Sequence, residues 1–552
     1  MRLIPPRLWF LAAFSGILQI LPFPIAGPLP LWRTAFCWIA LLPLLKALLG
    51  VSQEANPLTP VQGAALGYLS GFCWYLGNCY WIFQTMHLYG GLPQPVALII
   101  LMLFALYLGV YHALFGALVV TLRRSRLGLQ GALLLTPFVW VAVELARARI
   151  TSFPWDLLGG AQVDNPLLTR LAPITGVYGL SFVIAFVNAL WLVRISLRER
   201  RYTRHLLTIT GIAFVLLYLG FLTRLGTHAA LPTATATLVQ ENLEVGVVNT
   251  GPQETREQLL TAFAGLSLNP THTYLNGIPG LSTTRTVSHG EASHVTPPSG
   301  PGYRSTNLIV WPESPAGFRT DDPVFQAALS DLARSTSAPL IIGSLGLVFD
   351  PTTERGLRLY DSAYLMHTTG INGGRYDKIH LVPFGEYVPY KDLIFFAKKL
   401  TAGVGDMDRG TDRTVFQSGG HAFGVFICYE SIFGDEVRQF VRNGAEVLVN
   451  ISDDGWYGDS GAPWQHLNMV RMRAIENHRW ILRSTNTGIT TSIDPLGHVT
   501  LALPRHIRAA INAPYGYEHD ITFYTAHGDL FAYACALVTL AALGYSLRYK
   551  LN

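Results

Sequence analysis

Charged residues and cysteines are both scarce in this 552-residue chain. Only 14% of the residues are charged and 50% are hydrophobic, which is too apolar for an ordinary soluble protein of this length. The five cysteines form no Cys-x-x-Cys pair and have no Cys/His spacing of the zinc-binding kind, so neither a disulfide scaffold nor a metal site is predicted. The net charge of +5 is small and its basic residues are scattered, so no nucleic-acid partner is expected. The composition indicates a membrane-embedded protein, and no cofactor is predicted.

Long apolar runs dominate the first part of the chain. Most of them approach the roughly 20 residues that a helix needs to cross a bilayer. Seven candidate spans and an eighth near the C-terminus cover residues 8–25, 31–49, 61–83, 96–122, 127–145, 174–193, 206–222 and 530–545. We therefore predict a membrane domain over residues 1–227, with about eight membrane helices in all once the C-terminal helix and tail at 527–552 are included.

The arginines predict which way these spans are oriented. Basic residues follow the fourth, sixth and eighth spans and also open the chain, so they all lie on one side if eight spans alternate. That side is expected to be the cytoplasm, although Arg147 and Arg149 after the fifth span count against the rule. The segment between the seventh and eighth spans is consequently predicted to lie on the outer face.

This outer segment, residues 228–526, has the pattern of a layered α/β domain. Strand-length apolar runs at 235–240, 307–311, 340–344, 362–366, 422–428, 447–451 and 489–493 alternate with helical patterns at 254–266, 323–335, 434–443 and 463–478. Residues 268–305 are rich in Ser, Thr, Gly, Pro and His, which predicts a flexible insertion.

Cys428 stands at the end of a short apolar run, AFGVFICYESIF at residues 422–433. The β-branched and aromatic residues of the run predict a buried strand with a thiol at its tip. The other four cysteines lie in the long hydrophobic segments, so Cys428 is the only thiol in the polar part of the chain. A nucleophile and an inert core cysteine are both compatible with this placement.

Two further motifs place ionisable groups at the ends of strand-like runs. In LIVWPES, residues 308–314, proline ends the run and Glu313 stands at its edge. In RYDKIHLVPFGE, residues 375–386, Lys378 and Glu386 lie eight residues apart across a Pro/Gly turn. Taken singly, each of these side chains is more typical of a solvated surface.

Together the motifs carry a resemblance. Glu, Lys and Cys in the contexts WPES, YDKIHLVPFGEYVP and ICYES resemble the nitrilase superfamily, whose α-β-β-α sandwich carries a Glu-Lys-Cys triad. With FPW at 153–155, NISDDGWYGDS at 450–460, PWQH at 463–466, RMRAIE at 471–476 and STNTGIT at 484–490, nearly the whole chain resembles the apolipoprotein N-acyltransferase family. The fold implied is a multi-span helical membrane domain joined to a nitrilase-like sandwich outside the membrane.

The resemblance implies a role for each motif residue. Cys428 would be the nucleophile, Glu313 the general base that takes its proton, and Lys378 the group that stabilises the oxyanion. Glu386 would orient Lys378. The residues after the nucleophile that would shape the site are Tyr429 and Glu430.

The resemblance also implies the substrates. The acyl donor would be a membrane phospholipid, phosphatidylethanolamine in particular, and the acceptor would be the α-amine of a diacylglyceryl-cysteine at the N-terminus of an apolipoprotein. The site would then open at the outer, periplasmic face of the bacterial inner membrane. Substrate contacts are predicted for Trp311, Trp155, Phe395 and Phe396. The last two lie in a segment, 391–400, that is typical of an interfacial helix and equally of an amphipathic helix packed on the domain.

Two alternatives remain open at this point. In a membrane-tethered C-N hydrolase of the amidase kind, water would resolve the same thioester. In a transporter, the outer domain would only bind a ligand, but transport usually places ionisable residues within the spans, and here they cluster outside them.

Overall fold

A computed structural model describes residues 3–50, 57–196, 231–246, 254–271, 306–313, 316–353, 355–387 and 407–548. The predicted span at 206–222, most of the predicted insertion at 268–305, and both Phe395 and Phe396 lie outside these ranges.

The N-terminal part of the structure is helical. The helices of this part, together with the helix near the C-terminus, are Pro6–Ile20, Leu31–Thr34, Cys37–Ala40, Leu42–Leu49, Pro60–Asn78, Trp81–Gln84, Gln94–Arg124, Gly128–Ile150, Ala172–Thr175, Val177–Ser196 and Leu530–Arg548. A π-helical turn, Thr85–Tyr89, follows Trp81–Gln84, and 3₁₀ turns cover Leu158–Gln162 and Thr169–Leu171.

The predicted number of membrane helices is not confirmed. Among the described residues, five segments are long and apolar enough to cross a membrane: Leu31–Leu49, Gln94–Arg124, Gly128–Ile150, Val177–Arg194 and Leu530–Arg548. The first predicted span forms a helix of only 15 residues, which ends before Pro22. The third forms the helix Pro60–Asn78, in which glycines and polar residues dilute the apolar character.

Glycines let two helices of this domain pack with their backbones in close contact. Gly63, Gly67 and Gly71 recur every fourth residue on one face of Pro60–Asn78 and meet Gln94–Arg124. A Cβ atom at Gly67 would lie 2.1 Å from the carbonyl oxygen of His112, a distance that no side chain can occupy. Small residues at this spacing are the usual basis of close helix packing in membranes.

The outer part is built on two six-stranded sheets, in the orders β12-β1-β2-β3-β4-β5 and β11-β10-β9-β8-β7-β6. Each sheet has three central strands that run parallel and antiparallel strands at its margins. The strands are β1 Ala234–Gln240, β2 Leu308–Val310, β3 Leu340–Phe349, β4 Leu357–Met366, β5 Asn372–Asp377, β6 Val415–Ser418, β7 His421–Ile427, β8 Val447–Ser452, β9 Ile481–Thr485, β10 Thr491–Ile493, β11 Val499–Ala502 and β12 Ala509–Tyr515.

The sheets face each other and helices cover their outer faces. Alternate residues of β2 illustrate the layering, because Val310 packs into the core between the sheets and Ile309 packs against helices on the other side. The helices of this part are Arg256–Leu268, Pro323–Thr336, Gly434–Arg442, Ala462–Asn477 and Phe523–His527. The result is an α-β-β-α sandwich, as the fold prediction stated.

All seven predicted strands and all four predicted helices of this part are confirmed, with ends shifted by a few residues. Helix Pro323–Thr336 begins as its sequence indicates, because the Asp322 carboxylate accepts hydrogen bonds from the N–H groups of Val324 and Phe325. The prediction missed strands that are short, polar or at sheet margins, namely β5, β6, β9, β11 and β12.

Candidate active site

Three strand ends converge at one edge of the sandwich. Glu313 follows β2 and Lys378 follows β5 in the first sheet, while Cys428 follows β7 in the second. The three residues predicted from separate motifs are thereby brought into one site between the sheets.

Lys378 is fully buried and its ammonium group is surrounded by carboxylates. Its Nζ atom lies 2.8 Å from Glu313 Oε1, 2.5 Å from Glu386 Oε1 and 3.0 Å from Asp361 Oδ2. Burial alone would lower the pKa of Lys378, but these carboxylates raise it well above its ordinary value. The lysine is therefore a fixed cation at the centre of the site.

Glu313 is held in an orientation that suits a base. Its second oxygen, Oε2, accepts a 2.7 Å hydrogen bond from the N–H of Asp453. Burial favours the protonated form, but the Lys378 charge and the hydrogen bonds to the carboxylate hold the pKa of Glu313 below its ordinary range. Glu313 is consequently ionised near neutral pH and can accept a proton.

The backbone of Cys428 is strained. Its φ of 45° lies in the left-handed region, between the end of β7 and the 3₁₀ turn Cys428–Ile432. Burial, together with the Glu313 carboxylate, raises the pKa of the thiol well above its ordinary value despite the opposing Lys378 charge. The resting sulfur is therefore a thiol, and it needs a base before it can attack.

A buried polar network supports the backbone at Cys428. His466 Nε2 lies 3.0 Å from the carbonyl oxygen of Cys428 and 2.6 Å from Ser431 Oγ, while its Nδ1 lies 2.9 Å from Asp454 Oδ1. Arg483 in turn contacts Asp454 Oδ2 at 2.5 Å. The contact of His466 with the Cys428 carbonyl oxygen has no signal in the local sequence.

Glu430 ties the two sheets together beside the site. One oxygen, Oε1, accepts hydrogen bonds from the N–H groups of Ile379 and His380, at 2.7 and 3.1 Å. The other, Oε2, accepts one from the N–H of Ile427 at 2.7 Å, and the Tyr376 hydroxyl contacts both oxygens. This single carboxylate thus joins the chain after Lys378 to the chain before Cys428.

Tyr429 and Trp155 lie where the sandwich meets the membrane helices. The Tyr429 hydroxyl donates to the carbonyl oxygen of Ser152 at 3.1 Å, just beyond helix Gly128–Ile150. Trp155 is buried, donates from Nε1 to Gln465 Oε1 at 2.8 Å and stacks on His466. The loop after the fifth predicted span therefore packs directly behind the chain around Cys428.

The remaining predicted site residues are Trp311, Glu386, Phe395 and Phe396. Trp311 is buried in the outer core of the first sheet, where its ring packs on Phe263 and its Nε1 donates to Ser267 Oγ at 2.9 Å. Substrate contact by Phe395 and Phe396 stays a prediction, because both lie outside the described residues. Glu386 contacts Lys378 as expected and also accepts a 2.9 Å hydrogen bond from the N–H of Val382.

Asp361 is the site residue that the sequence reasoning missed. It lies inside β4, is 4% exposed, and contributes the third carboxyl group around Lys378. Oxygens of Asp361, Glu313 and Glu386 all lie within 4.8 Å of one another, which could hold a cation. The Lys378 ammonium already contacts all three, so an ammonium takes the position that a metal ion would require.

This arrangement can perform acyl transfer. A protonated thiol, an ionised carboxylate and a fixed ammonium are the nucleophile, base and oxyanion-stabilising cation that attack on an acyl carbonyl requires.

Comparison with known proteins agrees with this chemistry. A family model described as the apolipoprotein N-acyltransferase N-terminal domain matches residues 15–190, and one described as carbon-nitrogen hydrolase matches residues 275–515. The apolipoprotein N-acyltransferase of Geobacter metallireducens is 34% identical over 99% of this chain and 96% of its own length. That of Methylococcus capsulatus is 32% identical over 94% of this chain and 92% of its own length.

Solved structures are also matched, at lower sequence identity. Saccharomyces cerevisiae Nit3, a member of branch 10 of the nitrilase superfamily, has 16% identity and a TM-score of 0.35, covering 54% of this chain and 95% of Nit3. The similarity to the two N-acyltransferases extends over nearly the whole chain and identifies its family. The chain belongs to the apolipoprotein N-acyltransferase family.

Proposed function

We propose that this protein transfers an acyl chain from a membrane phospholipid to the α-amino group of the N-terminal diacylglyceryl-cysteine of apolipoproteins, through a thioester on Cys428. The observation that carries the proposal is the convergence of Glu313, Lys378 and Cys428 directly beside the membrane helices. The relatives' shared name supports the acceptor class. Phosphatidylethanolamine is the proposed donor.

In the first half-reaction the Cys428 sulfur attacks the ester carbonyl carbon while Glu313 takes the thiol proton. The oxyanion that forms is stabilised by the Lys378 ammonium and by the backbone N–H of Tyr429, which directly follows the nucleophile. Collapse of this intermediate breaks the carbon–oxygen bond of the ester. The proton on Glu313 passes to the departing oxygen, so lysophospholipid leaves and Glu313 is ionised again.

In the second half-reaction the neutral amine of the acceptor attacks the thioester carbonyl. Glu313 takes the amine proton and returns it to the departing Cys428 sulfur, so an amide forms and the thiol is restored. Glu386 keeps Lys378 in place through both steps, since it contacts Nζ at 2.5 Å and is itself fixed by a backbone N–H. A thioester is a suitable intermediate because amines attack it more readily than they attack an oxygen ester.

The proposed location follows from the substrates. Both the donor and the lipid-anchored acceptor lie in the bilayer, and the five apolar helices are of a length that embeds the protein there. We assign residues 228–526 to the catalytic domain, on the periplasmic face of the bacterial inner membrane, and residues 1–227 and 527–552 to the membrane part. This orientation rests on the distribution of arginines.

The test is to incubate purified protein with phosphatidylethanolamine alone and to measure its intact mass. We expect an acyl-sized increase that maps to the Cys428 peptide and is removed by hydroxylamine. Cys428→Ala should show no increase, whereas Cys535→Ala, which removes a buried thiol from a membrane helix, should form the adduct as the wild type does.

Adding a diacylglyceryl-cysteine peptide then separates acyl transfer from hydrolysis. An N-acylated peptide supports the proposal, and free fatty acid as the only product would establish the C-N hydrolase alternative. If the complete reaction proceeds without any adduct on Cys428, the thioester route is refuted.

A further inference from the structure

We propose that Asp361 is a positioning residue that keeps a proton in the resting site, so that a neutral carboxyl group holds Lys378 and Glu313 in place for Cys428. This inference rests on the proposed function. It assigns different protonation states to three carboxyl groups that surround one ammonium group.

Asp361 is fixed to Lys378 by two contacts. Its Oδ2 lies 3.0 Å from the Lys378 Nζ atom, and its carbonyl oxygen accepts a 2.9 Å hydrogen bond from the Lys378 N–H. The second contact is part of the ladder that joins β4 to the end of β5. Asp361 can therefore move only together with the lysine.

The charges at the site do not balance if all three acids are ionised. The groups that face Asp361 are the Lys378 ammonium from the end of β5, the Glu313 carboxyl from the end of β2, and the Glu386 carboxyl from the turn after Lys378. Three carboxylates and one ammonium would leave two net negative charges buried together, which is costly in a low-dielectric site. One retained proton halves that charge.

Hydrogen bonds decide which carboxyl group retains the proton. Glu313 accepts a bond from the Asp453 N–H and Glu386 accepts one from the Val382 N–H, and such backbone donors stabilise an ionised carboxylate. Among the described residues, no backbone N–H donates to the Asp361 carboxyl group. Asp361 is thus the acid for which ionisation is least favourable.

The electrostatics of the site agree with this assignment. Burial raises the pKa of Asp361 well above its ordinary value, and the Glu313 and Glu386 charges add to this effect against that of Lys378. Burial also raises the pKa of Glu386 above its ordinary value, against the Lys378 charge, whereas the pKa of Glu313 shifts in the opposite direction. When the surroundings shift the pKa values of two neighbouring acids in opposite directions, one acid keeps its proton and the other can accept one.

A neutral Asp361 has two consequences for the site. Its O–H can donate to the facing Glu313 carboxyl group, which orients that base. Its other oxygen accepts from Lys378 more weakly than a carboxylate would, so more of the ammonium charge remains available to the oxyanion. Asp361 itself touches no reacting atom in this scheme.

The decisive variant is Asp361→Asn. The amide oxygen can accept from Lys378 and the amide N–H can donate to Glu313, which reproduces the hydrogen bonds of a neutral acid but not those of a carboxylate. We expect thioester formation within about threefold of the wild-type rate, whereas Asp361→Ala should lose about 100-fold because Lys378 loses one of its three partners and Glu313 loses the group that orients it. Asp350→Asn, in the turn of the same hairpin and remote from Lys378, is the matched control.

The pH profile provides a readout that a purely structural role would not give. If Asp361 is already neutral, Asp361→Asn should leave the acidic limb of the thioester-formation rate within about 0.5 pH unit of wild type. Removing an ionised Asp361 would lower the pKa of the nearby base and shift that limb by about one unit or more. Such a shift, or a loss as large as that of Asp361→Ala, would overturn the proposal.

The proton can also be observed without activity. A wild-type minus Asp361→Asn infrared difference spectrum at neutral pH should contain the carbonyl-stretch band of a protonated carboxyl group. Absence of this band would refute the proposal that Asp361 retains a proton, even if Asp361→Ala fails to fold. Failure of wild-type protein to form any thioester would refute the proposed function instead, and the infrared result would still decide the state of Asp361.

Discussion

Replacing Glu430 with glutamine tests whether one carboxylate sets the relative position of the two sheets at the active site. Its oxygens accept hydrogen bonds from the N–H groups of Ile379 and His380 on one side and Ile427 on the other. An amide has only one oxygen. If this oxygen faces Ile379 and His380, the new NH₂ group faces the Ile427 N–H, and two donors then oppose each other in the core.

The magnitude follows from these contacts. An unsatisfied buried N–H costs about 1–3 kcal/mol, and the bonds that remain lose their charge assistance. Part of this cost is offset because Glu430 is itself buried, which raises its pKa and makes the ionised form expensive. We expect a net loss of about 2 kcal/mol, or a fall in Tm of about 3 °C for a domain of roughly 300 residues.

Glu430→Gln should slow thioester formation by more than the loss of folded protein explains. The reason is that Glu430 connects the chain around Lys378 to the chain around Cys428. A displacement of about 1 Å between the two should slow thioester formation by about 100-fold. Glu446→Gln is the matched control, because Glu446 pairs with His421 at the opposite end of β7. The assays are intact-mass kinetics and thermal unfolding in detergent. The reasoning is refuted if Glu430→Gln reacts at the wild-type rate, or if Glu446→Gln slows the reaction equally.

Three further variants test other parts of the structure. Gly67→Ala places a Cβ atom 2.1 Å from the His112 carbonyl oxygen, so we expect a lower Tm and poor recovery of folded protein, while Gly160→Ala, where a Cβ meets no atom within 4 Å, should not differ from wild type. Cys428→Gly should be about 1 kcal/mol more stable than Cys428→Ala, because glycine adopts the positive φ without strain, and both should form no thioester; equal melting temperatures would contradict the strain. Burial and the Glu313 charge raise the pKa of Asp453 from 3.8 to about 7, so the folded state binds more protons than the unfolded state between these values and wild-type stability should fall as the pH rises through them. Asp453→Asn should flatten this dependence in unfolding experiments from pH 4 to pH 8, and an unchanged slope would show that Asp453 is ionised throughout.

The strands and helices of the sandwich could be predicted largely from local patterns. The strands that the prediction missed were missed for a physical reason. β1 is buried along its whole length, and its small, apolar and β-branched residues, ATATLV before Gln240, are typical of a strand, so it was recognised. β5 was missed because Asn372–Asp377 is polar and contains two adjacent glycines. It becomes a strand at the margin of its sheet because β4 supplies hydrogen-bonding partners, which are not visible in its own residues.

The site could be predicted in part. Glu313 and Cys428 stand at the ends of apolar runs, a position that local sequence reveals, and Lys378 was found through its motif. Asp361 gave no such signal, since it lies inside a strand and an isolated acid in a strand is usually solvent-facing. A substrate contact was predicted for Trp155, whereas its stacking on His466 depends on residues more than 300 positions apart.

The apolar segments, most central strands, the reactive residue types and the family could be recognised from the residues alone, because they depend on composition and on short-range order. The carboxyl groups that meet Lys378, the bridge that Glu430 makes between the sheets, and the loop that packs behind Cys428 depend on contacts between distant parts of the chain. Those features arise where strand ends from two different sheets converge, and the free energies of burial and charge pairing that shape them exist only once the sheets and helices have packed together.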